Sequence, residues 1–187
     1  MIEYIVFYGE WLPLPKAEFN VLAMVAEHGG AYAGNYSDMC RYLAVTPQTR
    51  NREQLRSAIE SSTSKGFISC DTRGRTHHLT VIPKETEVRL PRPWVQSVIR
   101  HDYSSKSVAS AQVLKVFLWI MQNKMDVVTN AMIAGELGIS ESTVIDAKNV
   151  LQYEYENISK RKVSERWGDS FRSIGQELAA SAIWKDM

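Results

Sequence analysis

Asn130 to Asn149 reads NAMIAGELGISESTVIDAKN, and its spacing sets the architecture of this part of the chain. Ala134, Gly138 and Val144 stand at the fifth, ninth and fifteenth places of a twenty-residue pattern of two helices joined by a tight turn. Ile133, Leu137, Ile139 and Ala147 fill its apolar places. A small residue, Ala134, suits the point where the second helix crosses the first closely. The turn needs a residue that tolerates positive φ, and glycine does so without a Cβ penalty, which places Gly138 there. Ile139 and Val144 then seal the angle between the helices.

Working outward, Val113, Val116, Phe117 and Ile120 make one face of a helix that begins near Ser110. The helix after the turn is expected to run from Ser142 past Tyr153. Lys160-Arg161-Lys162 is a short basic cluster with no clear hairpin after it. In the tail, Trp167, Phe171, Ile174 and Leu178 follow one another at spacings of four, three and four, one apolar face of a helix. Three readings of that face stay open: packing on its own domain, a dimer contact, and docking of another protein. Before this unit, Pro83, Pro91, Pro93 and a Ser-rich patch mark a connection up to Ser110, with Val95, Val98 and Ile99 hinting at a short helix inside it.

The N-terminal part carries a second set of elements. A β-leaning run, IEYIVFY, precedes Pro15, which suits the first turn of a helix. Phe19, Leu22, Ala23 and Ala26 recur at helical spacing, and Gly29-Gly30 ends that element. Ser37 is placed to cap a short helix over 38–43. Asn51, with Gln54 three places on, reads as the cap of a third helix reaching about Lys65, with Leu55 and Ile59 as its buried stripe. ISCD and HHLTVI then read as two strands joined around Thr72-Arg73-Gly74-Arg75.

Composition narrows the classes. The 187 residues suffice for one or two small domains, and 44% hydrophobic with 23% charged residues is ordinary for a folded protein. Cys40 and Cys70 form no metal spacing and read as reduced thiols, so a cytoplasmic location is expected. No basic region precedes an apolar run at the N-terminus, so no signal peptide is expected. The longest apolar stretch, Val113 to Met121, falls short of the roughly 20 residues a membrane span needs. His77 and His78 are neighbours on a strand and point to opposite faces, so one ion cannot hold both. His28 and His101 have no spaced partners, and no glycine-rich phosphate loop, HExxH or GxSxG occurs. Neither an enzyme nor a metal or cofactor site is expected.

The net charge of +1 conceals a polarised first half. Residues 1–40 hold one lysine against five acidic residues, a net −4. Residues 41–84 hold eight basic residues against three acidic ones, a net +5. The basic part coincides with the third helix, the turn before it and the hairpin. Such an asymmetry is the electrostatic footprint of a nucleic-acid binder. Arg52 and Arg56, four apart, share a helical face. Arg50, Asn51, Arg52, Gln54 and Arg56 are candidate contacts, arginine for guanine and Gln54 for adenine. Arg73, Arg75 and His77 are candidates on the hairpin, against the plainer reading of a solvated turn. In the second unit the outward places are Glu141, Ser142, Ile145, Asp146 and Asn149, with Lys148 as the basic residue; Ser142, Thr143, Lys148 and Asn149 are its candidate contacts.

The spacing over 130–149 resembles the DNA-binding helix-turn-helix, whose second helix sits in the major groove. Three helices followed by a hairpin is the order of a winged helix. Ser37 to Val45, the Asn51 to Lys65 helix and Gly66-Phe67-Ile68 leading into the hairpin together resemble winged-helix domains of plasmid and phage replication initiators and replisome organisers. Winged-helix transcription regulators share the pattern. The departures are the acidic helix of the second unit and the extra C-terminal helix. The resemblance implies a mainly α fold with small β-hairpin wings, an α+β chain of two winged-helix or helix-turn-helix units. It divides the chain into a first winged-helix domain over 1–84, a linker over 85–109, a second such domain over 110–163 and a C-terminal amphipathic helix over 164–187. It further implies binding to double-stranded DNA at repeated sites, often as a homodimer, in replication initiation or transcriptional regulation of a bacterial or mobile element. A replication or transcription protein is then a further partner. The alternative is a protein–protein adaptor built on the same folds.

Overall fold

Ile5 and Phe7 alternate with Tyr4 and Val6 along β1 (Tyr4–Tyr8); the first pair is fully buried and Tyr4 faces out, the period of two of a half-buried strand. The computed structural model describes residues 4–92, 95, 96, 98, 110–123 and 129–160. The chain is mixed α+β and divides into two compact units, one spanning Ile5–Leu90 and the other holding the described residues from Pro91 on.

In the first unit, a single 3-10 turn at Gly9–Trp11 follows β1. It turns Trp11 inward, where its ring meets Tyr8 at 5.2 Å and Phe7 at 5.9 Å, both edge-on, an arrangement that suits the ring quadrupoles. Helix α1 (Lys16–Glu27) is buried on nearly every side, as a central core helix must be. Its one buried carboxylate near the start, Glu18, accepts from Lys65 Nζ at 2.7 and 2.9 Å and from Ser61 Oγ at 3.0 Å. These bonds satisfy a charge that burial would otherwise penalise, and they tie α1 to α3 (Thr49–Ser64).

Strand β2 (Ala31–Gly34) and helix α2 (Tyr36–Tyr42) separate α1 from α3. Sequence reading had no strand at 31–34, and it placed the cap of α2 at Ser37. The cap is Asn35: its side chain accepts from the Ser37 and Asp38 N–H groups at 2.8 and 3.1 Å, and Asp38 reaches back to the Asn35 N–H. Helix α2 ends with Val45 N–H bonded to Cys40 O and Ala44 N–H to Arg41 O, a Schellman closure. Ala44 therefore sits at φ 54°, the place glycine usually takes. Helix α3 starts at Thr49 with Gln48 before it, so Asn51 is not its cap; the Asn51 amide instead donates to Thr46 O at 2.8 Å and holds the α2–α3 turn.

Strands β3 (Ile68–Arg73) and β4 (Thr76–Val81) form a hairpin closed by Gly74 and Arg75. Gly74 takes φ 64°, which the tight turn requires. Strand β4 lies between β3 and β2, pairing Thr72 and Gly34 with His77, and Cys70 and Tyr32 with Leu79. Leu79 and Ile68 turn into the core under α1 and α3. Strand β5 (Glu87–Pro91) pairs with β1. Sequence reading placed these residues in the connection between domains. Instead Gly9 N–H bonds Thr86 O at 2.9 Å, and Thr86 N–H donates to the Glu10 carboxylate at 3.1 Å. Burial works against ionisation of Glu10, but backbone N–H groups of Glu10 and Thr86 outweigh it and hold the carboxyl below its usual value.

In the second unit, α4 (Ser110–Gln122), α5 (Asn130–Leu137) and α6 (Glu141–Lys160) pack on one another. Thr129 caps α5 by accepting from Met132 N–H. Gly138 ends α5 at φ 63°, as the turn spacing requires. Ile133, Ala134, Leu137, Val144 and Ala147 are buried between the helices. Ser140 accepts from Thr143 N–H and opens α6 at Glu141, one residue before the expected start. The Trp119 indole donates to Glu136 at 2.7 Å, joining α4 to α5. Val95 and Val98 are buried; Ile99, the basic cluster beyond Lys160 and the tail face from Trp167 to Leu178 lie outside the described residues. Among the described residues no helix is long and apolar enough to cross a membrane.

Candidate nucleic-acid interface

Leu55, Ala58, Ile59 and Ser62 turn α3 into the core. At roughly 100° per residue, the opposite face is centred on Glu53, Ser57 and Glu60, with Thr49, Arg50 and Arg56 at its flanks and Arg52 nearer the buried stripe, and all seven are exposed. Sequence reading counts Glu53 and Glu60 in the charge balance but does not place them on this face, although the spacing that exposes the arginines exposes these too. Gln54 is also exposed but sits nearer the α1 side, where it lines a hollow of about 190 Å³ with Lys16, Asn20, Asn51 and Val45.

The eight basic residues of 41–84 are not equivalent. Arg41 pairs with Asp38 at 2.9 Å, Lys65 with Glu18 at 2.7 Å, and Arg73 with Asp71 at 2.9 Å. Lys84 stands over the Phe67 ring. Arg50, Arg52, Arg56 and Arg75 make no ion pair among the described residues. These four carry the positive field of α3 and of the hairpin turn. Arg75 lies in the turn itself, exposed beside Gly74.

His77 stands one residue pair from the turn, half-buried on the central strand and bonded through Nδ1 to Thr72 Oγ1 at 3.0 Å. Its ring lies 4.3 Å from that of Tyr36. Arg56 also meets Tyr36, its guanidinium carbon 5.9 Å from the ring centroid. Burial, and then the Arg56 charge, push the His77 imidazole below its usual value, which favours its neutral form. Tyr36 went unnoticed in the sequence; a tyrosine just inside a helix start carries no signal of what lies across from it.

The second unit presents a different surface. Lys148, expected outward, is 4% exposed, and its Nζ donates to Asn130 Oδ1 at 2.9 Å. The reason is helical phase: Val144, Lys148 and Leu151 stand at four- and three-residue intervals on the buried stripe of α6. Lys115 is buried in α4 as well. Within 110–123 and 129–151 these two are the basic residues, so that described surface has no exposed cation. What α5 and α6 expose includes Met132, Glu141, Ser142, Ile145 and Asn149, with Thr143 half-buried against Ser140. Among the described residues no three His, Cys, Asp or Glu side chains gather as metal ligands.

No protein-family model, curated protein or solved structure matches the chain.

Proposed function

We propose that the chain binds double-stranded DNA through α3 and the β3–β4 turn of its first unit. The observation that carries this reading is the set Arg50, Arg52, Arg56 and Arg75: four exposed guanidinium groups, without acidic partners among the described residues, on two adjoining elements. The element order of helix, strand, two helices and hairpin, with β2 completing the sheet, supports a winged helix. In such a unit α3 enters the major groove and the hairpin meets the backbone. Arginine suits both tasks, since its fork pairs bidentately with guanine and with phosphate. Replication initiation and transcriptional control of a bacterial or mobile element both fit this chemistry, with a homodimer reading repeated sites.

A second reading concerns the second unit. The burial of Lys115 and Lys148 favours a helix-turn-helix used for assembly with protein, since phosphates find no exposed cation within 110–123 and 129–151.

Fluorescence anisotropy with a mixed-sequence duplex across a salt series tests the proposal. Four phosphate contacts give a log–log salt slope of about −3.6, and Arg52→Ala/Arg56→Ala reduces it by roughly 2 if both touch phosphate. No binding at low salt overturns the DNA reading and favours the adaptor.

A further inference from the structure

The proposed DNA face spans two elements, a helix and a hairpin, and one cluster joins them. Tyr36 opens α2, directly after the Asn35 cap that fixes its backbone. Its ring is met by Arg56 from α3 at 5.9 Å and by His77 from β4 at 4.3 Å. His77 is in turn held by Thr72 of β3 at 3.0 Å and is paired across the sheet with Gly34 of β2, two residues before Tyr36. Every partner in this chain of contacts is anchored in secondary structure. Arg56 itself has no carboxylate partner among the described residues, so the ring face is what restrains it.

We infer that Tyr36 is a positioning residue for Arg56, clamping the guanidinium against a ring that the hairpin holds through His77, so that α3 and the hairpin meet DNA as one preorganised surface. The inference rests on the DNA reading above and deepens it. A long arginine side chain loses rotamer freedom when it binds, and a ring that already holds it removes part of that cost. A guanidinium over an aromatic face keeps its edge N–H groups free for phosphate or guanine. The neutral His77 suits this arrangement, because a second cation against the same ring would compete with Arg56 for it.

A double-mutant cycle in duplex affinity at fixed salt tests it. Tyr36→Ala and Arg56→Ala each lower affinity, with Tyr36→Ala costing about two- to fivefold, the range of an exposed cation–π contact. Tyr36→Ala in the Arg56→Ala background costs nothing further. Tyr36→Phe keeps native affinity, because the ring face and not the hydroxyl does the positioning. Additive losses from the two alanine changes, in a native protein that binds, overturn this inference alone. A native protein that binds no duplex overturns the DNA reading and the use of the cluster together. The cluster also has a readout without DNA: in the NMR titration of His77, Arg56→Ala raises the imidazole pKa, because a nearby positive charge has gone. A pKa that stays still means that Arg56 is not held beside His77 at Tyr36, and the inference fails.

Discussion

The two units place their cations in opposite ways. Around α3 and the β3–β4 turn, four arginines stand exposed without acidic partners among the described residues. In the second unit, the two lysines within 110–123 and 129–151 are drawn inside, Lys148 to Asn130 and Lys115 into α4. Yet the second unit holds the more regular spacing of two helices about a tight turn. That spacing solves a packing problem: Ala134 at the crossing, Gly138 in the turn, Val144 in the angle. It says nothing about what the outer face carries. Recognition of a polyanion depends on the outer face, so helix spacing and exposed charge separate here.

Charge reversal tests this contrast most severely. In Arg52→Glu/Arg56→Glu each change exchanges an attraction of about 1 kcal/mol for a comparable repulsion, and with screening the pair costs on the order of a hundredfold in duplex affinity. The matching change in the second unit, Ser142→Glu/Asn149→Glu, shifts affinity less than about twofold if that surface stays away from phosphates. A large loss there, measured by the same anisotropy assay, puts both units on DNA and ends the contrast.

Stability changes come next. Gly138→Val forces a β-branched residue to φ 63° and costs about 2 kcal/mol, seen as a lower thermal midpoint. Lys148→Ala empties part of the buried stripe of α6 and costs roughly 1–3 kcal/mol, while the salt slope of DNA binding stays where it was. A flattened slope instead makes Lys148 a DNA contact. Ala44→Gly runs the other way. It relieves a left-handed alanine at the end of α2 and stabilises the first unit by up to about 1 kcal/mol in chemical denaturation.

The smallest expected effect is a pH dependence from His77. Burial and Arg56 depress its pKa below the unfolded value, so the unfolded chain takes up the proton first as pH falls. Its contribution is fully present above the unfolded value of about 6.5 and is lost as pH falls through the folded pKa. Denaturant midpoints for native protein and His77→Gln should therefore differ in their slope with pH below about 6.5 and run parallel above it. Parallel curves throughout place His77 in solvent in the folded state.

Much of this was legible in the residues. The apolar periodicity of α1, the stripe of α3, the hairpin around Gly74 and the turn at Gly138 all follow from local spacing, because each is set by side chains a few places apart. What failed did so for identifiable reasons. Asn35 was passed over as a cap because Ser37 competes for the same role and only backbone geometry decides between them. Strand β2 is four residues of alanine, tyrosine and glycine with half-exposed burial, and it exists because β4 offers it an edge. Strand β5 depends in the same way on β1, eighty residues away in the chain. Lys148 looked outward because lysine usually is, although its phase on α6 pointed inward.

The sequence alone determined the local units: where helices turn apolar, where glycine must take positive φ, and that positive charge gathers between residues 41 and 84. Local pairing already engages Arg41 and Arg73, and tertiary structure alone decided that Lys65 and Arg56 find partners. Arg41, Lys65 and Arg73 are matched by carboxylates at three, forty-seven and two residues' distance, and Arg56 meets a ring twenty residues before it. An ion pair or a cation–π contact forms through a few ångströms of space, and separation along the chain does not reveal that distance until the fold has closed.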